Sequence, residues 1–497
     1  MKRLFALTVV LSVLLVGMPA VAVAGTVTVN PGDDIQAAID TASPGDTIVF
    51  ALGTYSLSST LTVNKSLMLT SEDPYATGKP VLDGGGTLTT VIFIAADNVT
   101  IDGLEITNGK GDLVRQSGAF SGTIVRNCAV HDSSGDEGIQ LVACTDCLIE
   151  CNTIYDVAQD AICVSGSSHT TAVRNNEIYN VGSENAAIYV YESYDITVAC
   201  NYIHDTPAAN GIKMYKNYGG THTIANNLIV HNAWQGGTRC YDEADGSTIN
   251  IYKPQTADST YMVTHNTLAD NTGVDACSHT TDHAIYVNDY DNSGAVTNVT
   301  DNIATGHGGY GIRVFFGATV NYSTNDLWQN AMGATDGSPV DGGGNISANP
   351  LYYGDYTLQA GSPCIGAGSG GQDMGVIFDE CGCAPPVIQV TIDIKPGSYP
   401  NSINLGAKGV VPVAVLTTDE FDAGTVDPAS VVFAGAGPVH WALEDVDGDG
   451  DVDLVLHFKM QGLDLDAGNT EATLTGSTGD GQEIQGMDSV RIVPGSK

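Results

Sequence analysis

The sequence predicts an all-β solenoid, on three observations. A short strand pattern, one small residue followed by alternating aliphatic and variable residues, recurs at 138–142, 161–165, 187–191, 211–215, 248–252, 284–288 and 311–315. A second pattern, Asn-x-Ile or Asn-x-Leu, keeps step with it from Asn152 through Asn176, Asn201, Asn227 and Asn266, with first steps of 24, 25 and 26 residues. The chain is also rich in Gly, Asn, Thr, Val and Ile, with almost no long amphipathic helical pattern. Period-two alternation sends both aliphatics of each strand to one face. A fixed repeat of this length is one coil of a stack. Stacking also accommodates 497 residues, because each coil contacts only its neighbours and no single core has to grow.

In chain order, Met1, Lys2 and Arg3, the apolar run 4–16 and Ala22-Val23-Ala24 have the parts of a secretory signal peptide over 1–24. The apolar run is too short to span a bilayer and no later stretch is long enough. A secreted, extracellular protein beginning near Gly25 is expected, with no transmembrane segment and as a monomer. Ile35 and Ile39 lie four apart after Asp33, a candidate N-cap, so a short amphipathic helix is predicted there. It suits the open end of a solenoid, whose unpaired strand edges need a lid. Thr47–Phe50, Leu61–Val63 and 67–70 read as the first strands, and coils are expected to about residue 330.

Residues 26–70, the Asn-x-Ile and Gly-Ile-x-Val repeats and the closing segment 358–368 resemble secreted bacterial right-handed parallel β-helix proteins of the pectin-lyase-like fold. The resemblance implies a right-handed parallel β-helix over 25–383. The superfamily holds pectate, alginate and chondroitin lyases, polygalacturonases and non-catalytic surface proteins, so it leaves the reaction open. Ala384, Pro385 and Pro386 mark a linker, 384–389, and 390–497 changes to short strands and turns. That segment resembles a C-terminal β domain appended to many secreted bacterial proteins.

The C-terminal segment carries one sharp motif, Asp445, Asp447, Asp449, Asp451 and Asp453 at alternate positions with Gly450 at the bend. Oxygen ligands so spaced match the first nine positions of an EF-hand loop. Position twelve falls on Leu456, so the expectation is a shortened, structural calcium loop between strands.

A formal charge of −39 excludes nucleic acid as a partner, since that needs clustered Lys and Arg. Eleven cysteines leave at least one unpaired, and Cys240 with Cys277, in long loops of adjacent coils, are an expected disulfide. Cys144 and Cys147 are read as part of a coil turn, without a redox context.

The outward positions of the repeated strand form two columns. Gln140, Cys163, Tyr189, Lys213, Asn250, Tyr286 and Arg313 make the first, and Val142, Ser165, Tyr191, Tyr215, Tyr252, Asn288 and Phe315 the second. Lys216 and Lys253 follow directly. Four basic residues on one strip are informative in a chain with 18 in all. Trp234, Arg239, Tyr241, Asp242, His279 and His283 fall in two long connections expected to overhang the strip. Rings stack on sugar faces and cations pair with acid groups, so the partner indicated is a polysaccharide bearing uronates. β-Elimination needs a base, a leaving-group acid and charge neutralisation of the carboxylate. Lys213 is the candidate base, as its strand position resembles that of β-helix lyase bases, with Tyr215 or Tyr252 as acid and Arg313 or Lys253 as neutraliser. Tyr189, Tyr191, Lys216, Asn250, Tyr286, Asn288, Phe315, Trp234 and His283 are candidate substrate contacts.

Three other readings stand beside this one. The strip can hold glycan on a non-catalytic surface or matrix protein. Glu137 and Asp160, in one register a coil apart, can form a retaining-glycosidase pair or a calcium site. Gly306-His307-Gly308 is similar to a short polygalacturonase motif, without that family's other motifs. The pairs His131-Asp132 and His204-Asp205 recur at the same point of the coil and are read as a repeated turn.

Overall fold

A computed structural model describes residues 25–493 except 77, 183–184, 209, 236–245, 275–281, 354, 379–387, 419–420, 467 and 479–482. Residues 1–24, where the signal peptide is expected, and 384–387 of the expected linker lie outside the described residues. The chain divides into two compact units, Met1–Cys381 and Gly382–Lys497.

The first unit is a right-handed parallel β-solenoid of three sheets, with thirteen, eleven and eleven strands among the described residues. Register follows the repeat. Ile139, Ile162, Ile188, Ile212, Ile249, Ile285 and Ile312 stand in one continuous line of paired positions, all fully buried. Burying each is worth about 1.5–3 kcal/mol. The coils run slightly beyond the expected end, to Gly333–Asp336 and Val340–Asp341.

The asparagines close one corner. The backbone N–H and Nδ2 of Asn152 both donate to Oδ1 of Asn176, at 3.1 and 3.0 Å. The same pair of bonds repeats up the stack to Asn345, adding Asn302, which the pattern does not mark, and Asn325, which fits it and was not picked out. Each rung thus satisfies a buried amide that would otherwise face apolar side chains.

The lid is the helix Ile35–Thr41, with Ile35 and Ile39 buried as expected. Its N-cap is Asp34, whose side chain accepts from Ala37 N–H, while Asp33 turns back to accept from Asn30 N–H. Gln36 exchanges two hydrogen bonds with the backbone of Thr62, on the last strand of its sheet. A side-chain amide thus stands in for a neighbouring strand.

Among the described residues the second unit has two four-stranded sheets and one two-stranded sheet, one of the larger running Ile392–Ile394, Val410–Val415, Asp453–Lys459, Pro438–Glu444 in spatial order. Ile394, Val411, Val413, Phe433, Leu456, Phe458 and Leu474 form its buried core.

Candidate functional site

The two outward columns exist as the alternation requires. Gln140, Cys163, Tyr189, Lys213, Asn250, Tyr286 and Arg313 are paired neighbours on successive strands, as are Val142, Ser165, Tyr191, Tyr215, Tyr252, Asn288 and Phe315. Tyr191, Tyr215 and Tyr252 stack with ring centroids 5.5 Å apart at each step. Tyr189 lies 6.0 Å from Tyr191 and 6.4 Å from Tyr215. The Lys213 ammonium is 6.0 Å from the Tyr215 ring centre, and that of Lys216 is 5.1 Å from it. Lys253 sits 5.1 Å from the Tyr252 ring centre. The alternation makes Lys213 an outward, exposed residue, but it is only 8% exposed, and Asn250, Tyr286 and Asn288 are buried as well. Asn250 Nδ2 donates to Asn210 Oδ1 at 3.2 Å, and Asn288 Nδ2 to the Tyr286 hydroxyl at 2.9 Å.

Arg313 stands three strands from Lys213, roughly 14 Å at the usual strand spacing. Its Nη1 is 3.0 Å from His283 Nε2, and its Nε is 3.6 Å from Asp336. His283 Nδ1 accepts the Tyr310 N–H. Burial, then the nearby Arg313 charge, pushes the imidazole down to about 3, so it is neutral. Its one proton is therefore assigned to Nε2.

Upstream, the register brings Glu137 and Asp160 together and adds Asp112, one coil below Glu137. Oxygens of Asp112, Asp136 and Glu137 lie within 4.8 Å of one another, as do ligand atoms of Glu137, Asp160 and Cys163. Burial, then the Asp136 and Asp112 carboxyls, pushes Glu137 up to about 9, and burial raises Asp112 too. Buried Asp112 Oδ1 and Glu137 Oε2 have no hydrogen-bond partner among the described residues. Crowded oxygens of this kind fit a hard divalent cation. Sequence reading missed Asp112, although its spacing of 25 residues before Glu137 is one coil.

In the second unit, the acidic run forms the turn between Pro438–Glu444 and Asp453–Lys459. Asp445, Asp447 and Asp453 converge within 4.8 Å, while Asp449 and Asp451 are not in that group. Gly448 and Gly450 both take positive φ, +83° and +102°, so the bend is shared by two glycines.

Other candidates are placed elsewhere. His307 is buried with Nε2 3.2 Å from the Leu268 carbonyl, so it faces the interior and not a cleft. Asp132, Asp156, Asn180 and Asp205 all take positive φ at one corner, which makes the His-Asp pairs part of a repeated turn. Cys144 and Cys147 are buried free thiols in a coil turn. Trp234 lies on the strand Ala233–Gln235, paired with Thr272–Val274. Its side chain, and Arg239, Cys240, Tyr241, Asp242, Cys277 and His279, lie outside the described residues.

Residues 90–253 match the family model described as right handed beta helix region. No curated protein matches the chain. Among solved structures it is similar to pectate lyase Pel9A, at 13% identity over 72% of this chain and 96% of that one, with a TM-score of 0.47. It is also similar to an alginate lyase from Paenibacillus sp., at 16% identity over 65% and 99% with a TM-score of 0.40. A third is the catalytic unit of an α-1,3-glucanase from Streptomyces thermodiastaticus, at 16% identity over 66% and 69% with a TM-score of 0.44.

Proposed function

We propose that this protein binds an extracellular polysaccharide bearing uronate groups along the tyrosine strip and cleaves it by β-elimination at Lys213. The observation that carries the reading is the run Tyr191–Tyr215–Tyr252 with Lys213, Lys216 and Lys253 against its rings. Rings offer faces to sugars, and ammonium groups offer partners to carboxylates. Lys213, in its free-amine form, takes the proton α to the carboxylate and becomes an ammonium, and the hydroxyl of Tyr215 or Tyr252 protonates the leaving oxygen. Lys216 or Lys253 stabilises the charge that develops on the carboxylate. Arg313, with His283 beside it, serves a neighbouring sugar unit because of its distance from Lys213.

Calcium belongs to this reading at two places. Asp112, Asp136 and Glu137 would hold it near the strip, where it supplies charge neutralisation to an acidic chain. Asp445, Asp447 and Asp453 would hold it in the second unit, where it fixes the hairpin turn. Chelation should lower the melting temperature of the second unit, and Asp447→Asn should remove the response. A chelator-insensitive transition would exclude the hairpin site.

The decisive experiment incubates the full chain with pectate, alginate and glycosaminoglycans and follows the ultraviolet absorbance of unsaturated ends. Rising absorbance that Lys213→Met abolishes supports elimination. Binding with no cleavage selects the surface or matrix protein. New reducing ends without absorbance, lost in Glu137→Gln, select a hydrolase. That second reading is favoured by the raised pKa of Glu137 beside Asp160, since a retaining hydrolase needs a protonated acid near a carboxylate.

A further inference from the structure

The corners of the solenoid turn through left-handed backbone, and two corners fill those positions differently. The corner after the asparagine strands uses mainly Asn and Asp, at Asn108, Asp132, Asp156, Asn180, Asp205 and Asp270, with His231 and Gln329 on two further coils, all with φ between +45° and +60°. Asn and Asp tolerate this region better than other side-chain-bearing residues. Asn98 and Asn292 take positive φ only four residues beyond their strands, and directly after the strands of the tyrosine strip neither residue type appears. There the positive-φ residues are Ala143, Gly166, Glu192, Lys216, Lys253 and Phe316. The lower coils have small residues and the upper coils long ones. The backbone geometry is the same, because Glu192, Lys216 and Lys253 each donate their N–H one coil up, to Tyr215, Tyr252 and Asn288, at 2.8–3.1 Å. Asn or Gly would serve this backbone at lower cost, although His231, His265 and Gln329 show long side chains on left-handed corners elsewhere in the stack. The use of Lys216, Lys253 and Phe316 therefore rests on what their side chains meet.

Their placement indicates that use. Lys216 lies 5.9 and 5.1 Å from the ring centres of Tyr191 and Tyr215. Lys253 lies between Tyr252 and Tyr290, at 5.1 and 4.7 Å. Phe316 meets Tyr290 edge to face at 5.1 Å, and both are half exposed, at 50% and 51%. This aromatic pair continues the strip around the corner, and neither residue is marked by the strand pattern. Two lysines on successive coils give the edge a positive charge on a protein of net charge −39.

We propose that this corner is a second row of the binding surface, in which Lys216, Lys253, Tyr290 and Phe316 hold sugar units of an acidic polysaccharide running along the solenoid axis. The proposal rests on the polysaccharide reading above and adds Tyr290 and Phe316 to Lys216 and Lys253; at Lys216, Lys253 and Phe316 the left-handed backbone opposes the binding role.

That opposition makes the test specific. Lys216→Asn, Lys253→Asn and Phe316→Asn install the residue type used at the neighbouring corner, and Tyr290→Ser removes the exposed ring. Calorimetric titration of the full chain with hexasaccharides of galacturonate, mannuronate and guluronate, and with neutral cellohexaose, is paired with thermal melting. The three asparagine variants should melt at or above the wild-type temperature. All four should bind the preferred acidic hexasaccharide about tenfold more weakly. Lower melting with unchanged affinity would show the row to be structural and overturn the proposal. A changed sedimentation coefficient with unchanged affinity would assign the row to contact between copies, which also overturns it. If wild type binds an acidic hexasaccharide and the variants match it, the second row falls while the strip stands. If wild type binds none of the acidic probes, the polysaccharide reading falls and takes this row with it.

Discussion

The asparagine ladder and the tyrosine column are both stacks of like side chains, one per coil, yet they do opposite things. In the ladder every amide is consumed by the next rung. Asn227 Oδ1 accepts both the N–H and the Nδ2 of Asn201, and its own Nδ2 donates to Val198 and Asn266. Nothing is left for a ligand, and the ladder is buried. In the column the rings sit 5.5 Å apart, partly exposed, with ammonium groups along them. A saturated stack holds the solenoid together, and an open one has capacity to spare for a partner. Periodicity alone does not tell them apart. The difference lies in whether the repeated group finds its partners inside the repeat.

Mutation can separate the two stacks. The largest expected effect is on turnover, where loss of a general base typically costs ~10²–10⁴-fold. Because Lys213 is buried, an alanine there would also leave a hole, so Lys213→Met, which keeps the volume, is the cleaner variant. Turnover that survives in a folded Lys213→Met protein would remove the base from that position. Next is the ladder. Asn227→Ala leaves the Asn201 N–H buried without its acceptor, at about 1–3 kcal/mol, while Asn201 Nδ2 keeps the Val173 and Ala199 carbonyls. Urea unfolding should show the loss, while glycan affinity measured below the transition stays unchanged. Tyr215→Ser should do the reverse, weakening glycan binding by about 1 kcal/mol with little loss of stability. If both variants lose stability and neither loses affinity, the column is packing and the contrast between the stacks disappears.

How much of this was legible follows from the same distinction. The register of the strip could be read at every rung from 138 to 315, since alternation fixes which side chains share a face. The lid was legible through Ile35 and Ile39, but its cap moved from Asp33 to Asp34 because either carboxylate can reach a free N–H of the first turn. Asn302 was missed because the pattern asks for Ile or Leu two residues on and the solenoid places Ala304 there, whereas Asn325 with Leu327 fits the pattern and was passed over. The burial of Lys213 was not legible, because strand alternation names a face without saying what lies over it. Tyr290 and Phe316 were invisible to a strand pattern, as they lie in turns after it. Asp112 was available from coil spacing, yet it opens a strand, Asp112–Ser117, that lacks the small-aliphatic signature.

The smallest expected effect is a pH slope, and it contrasts a histidine beside the strip with one inside the stack. Burial pushes His307 down to about 4, and burial with Arg313 pushes His283 down to about 3. Both stay neutral in the folded chain while the unfolded chain takes up a proton near 6.5. Their contribution to stability is therefore complete above about 6.5 and is lost as pH falls toward 4 for His307 and 3 for His283, at no more than about 1.4 kcal/mol per pH unit each. Glu137 and Asp282, raised to about 9 and about 6, act in the opposite sense, since their folded forms hold protons that the unfolded chain releases. The wild-type profile mixes these slopes, so the informative quantity is the difference between variants. His307→Asn should melt lower than wild type at pH 7 and approach it near pH 5, because it no longer has an imidazole to keep neutral. His283→Asn should narrow the gap in the same window, and a bound acidic oligosaccharide should change the His283 difference while leaving that of His307 alone. Equal ligand effects on both differences would mean that His283 is as closed to the strip as the ladder is.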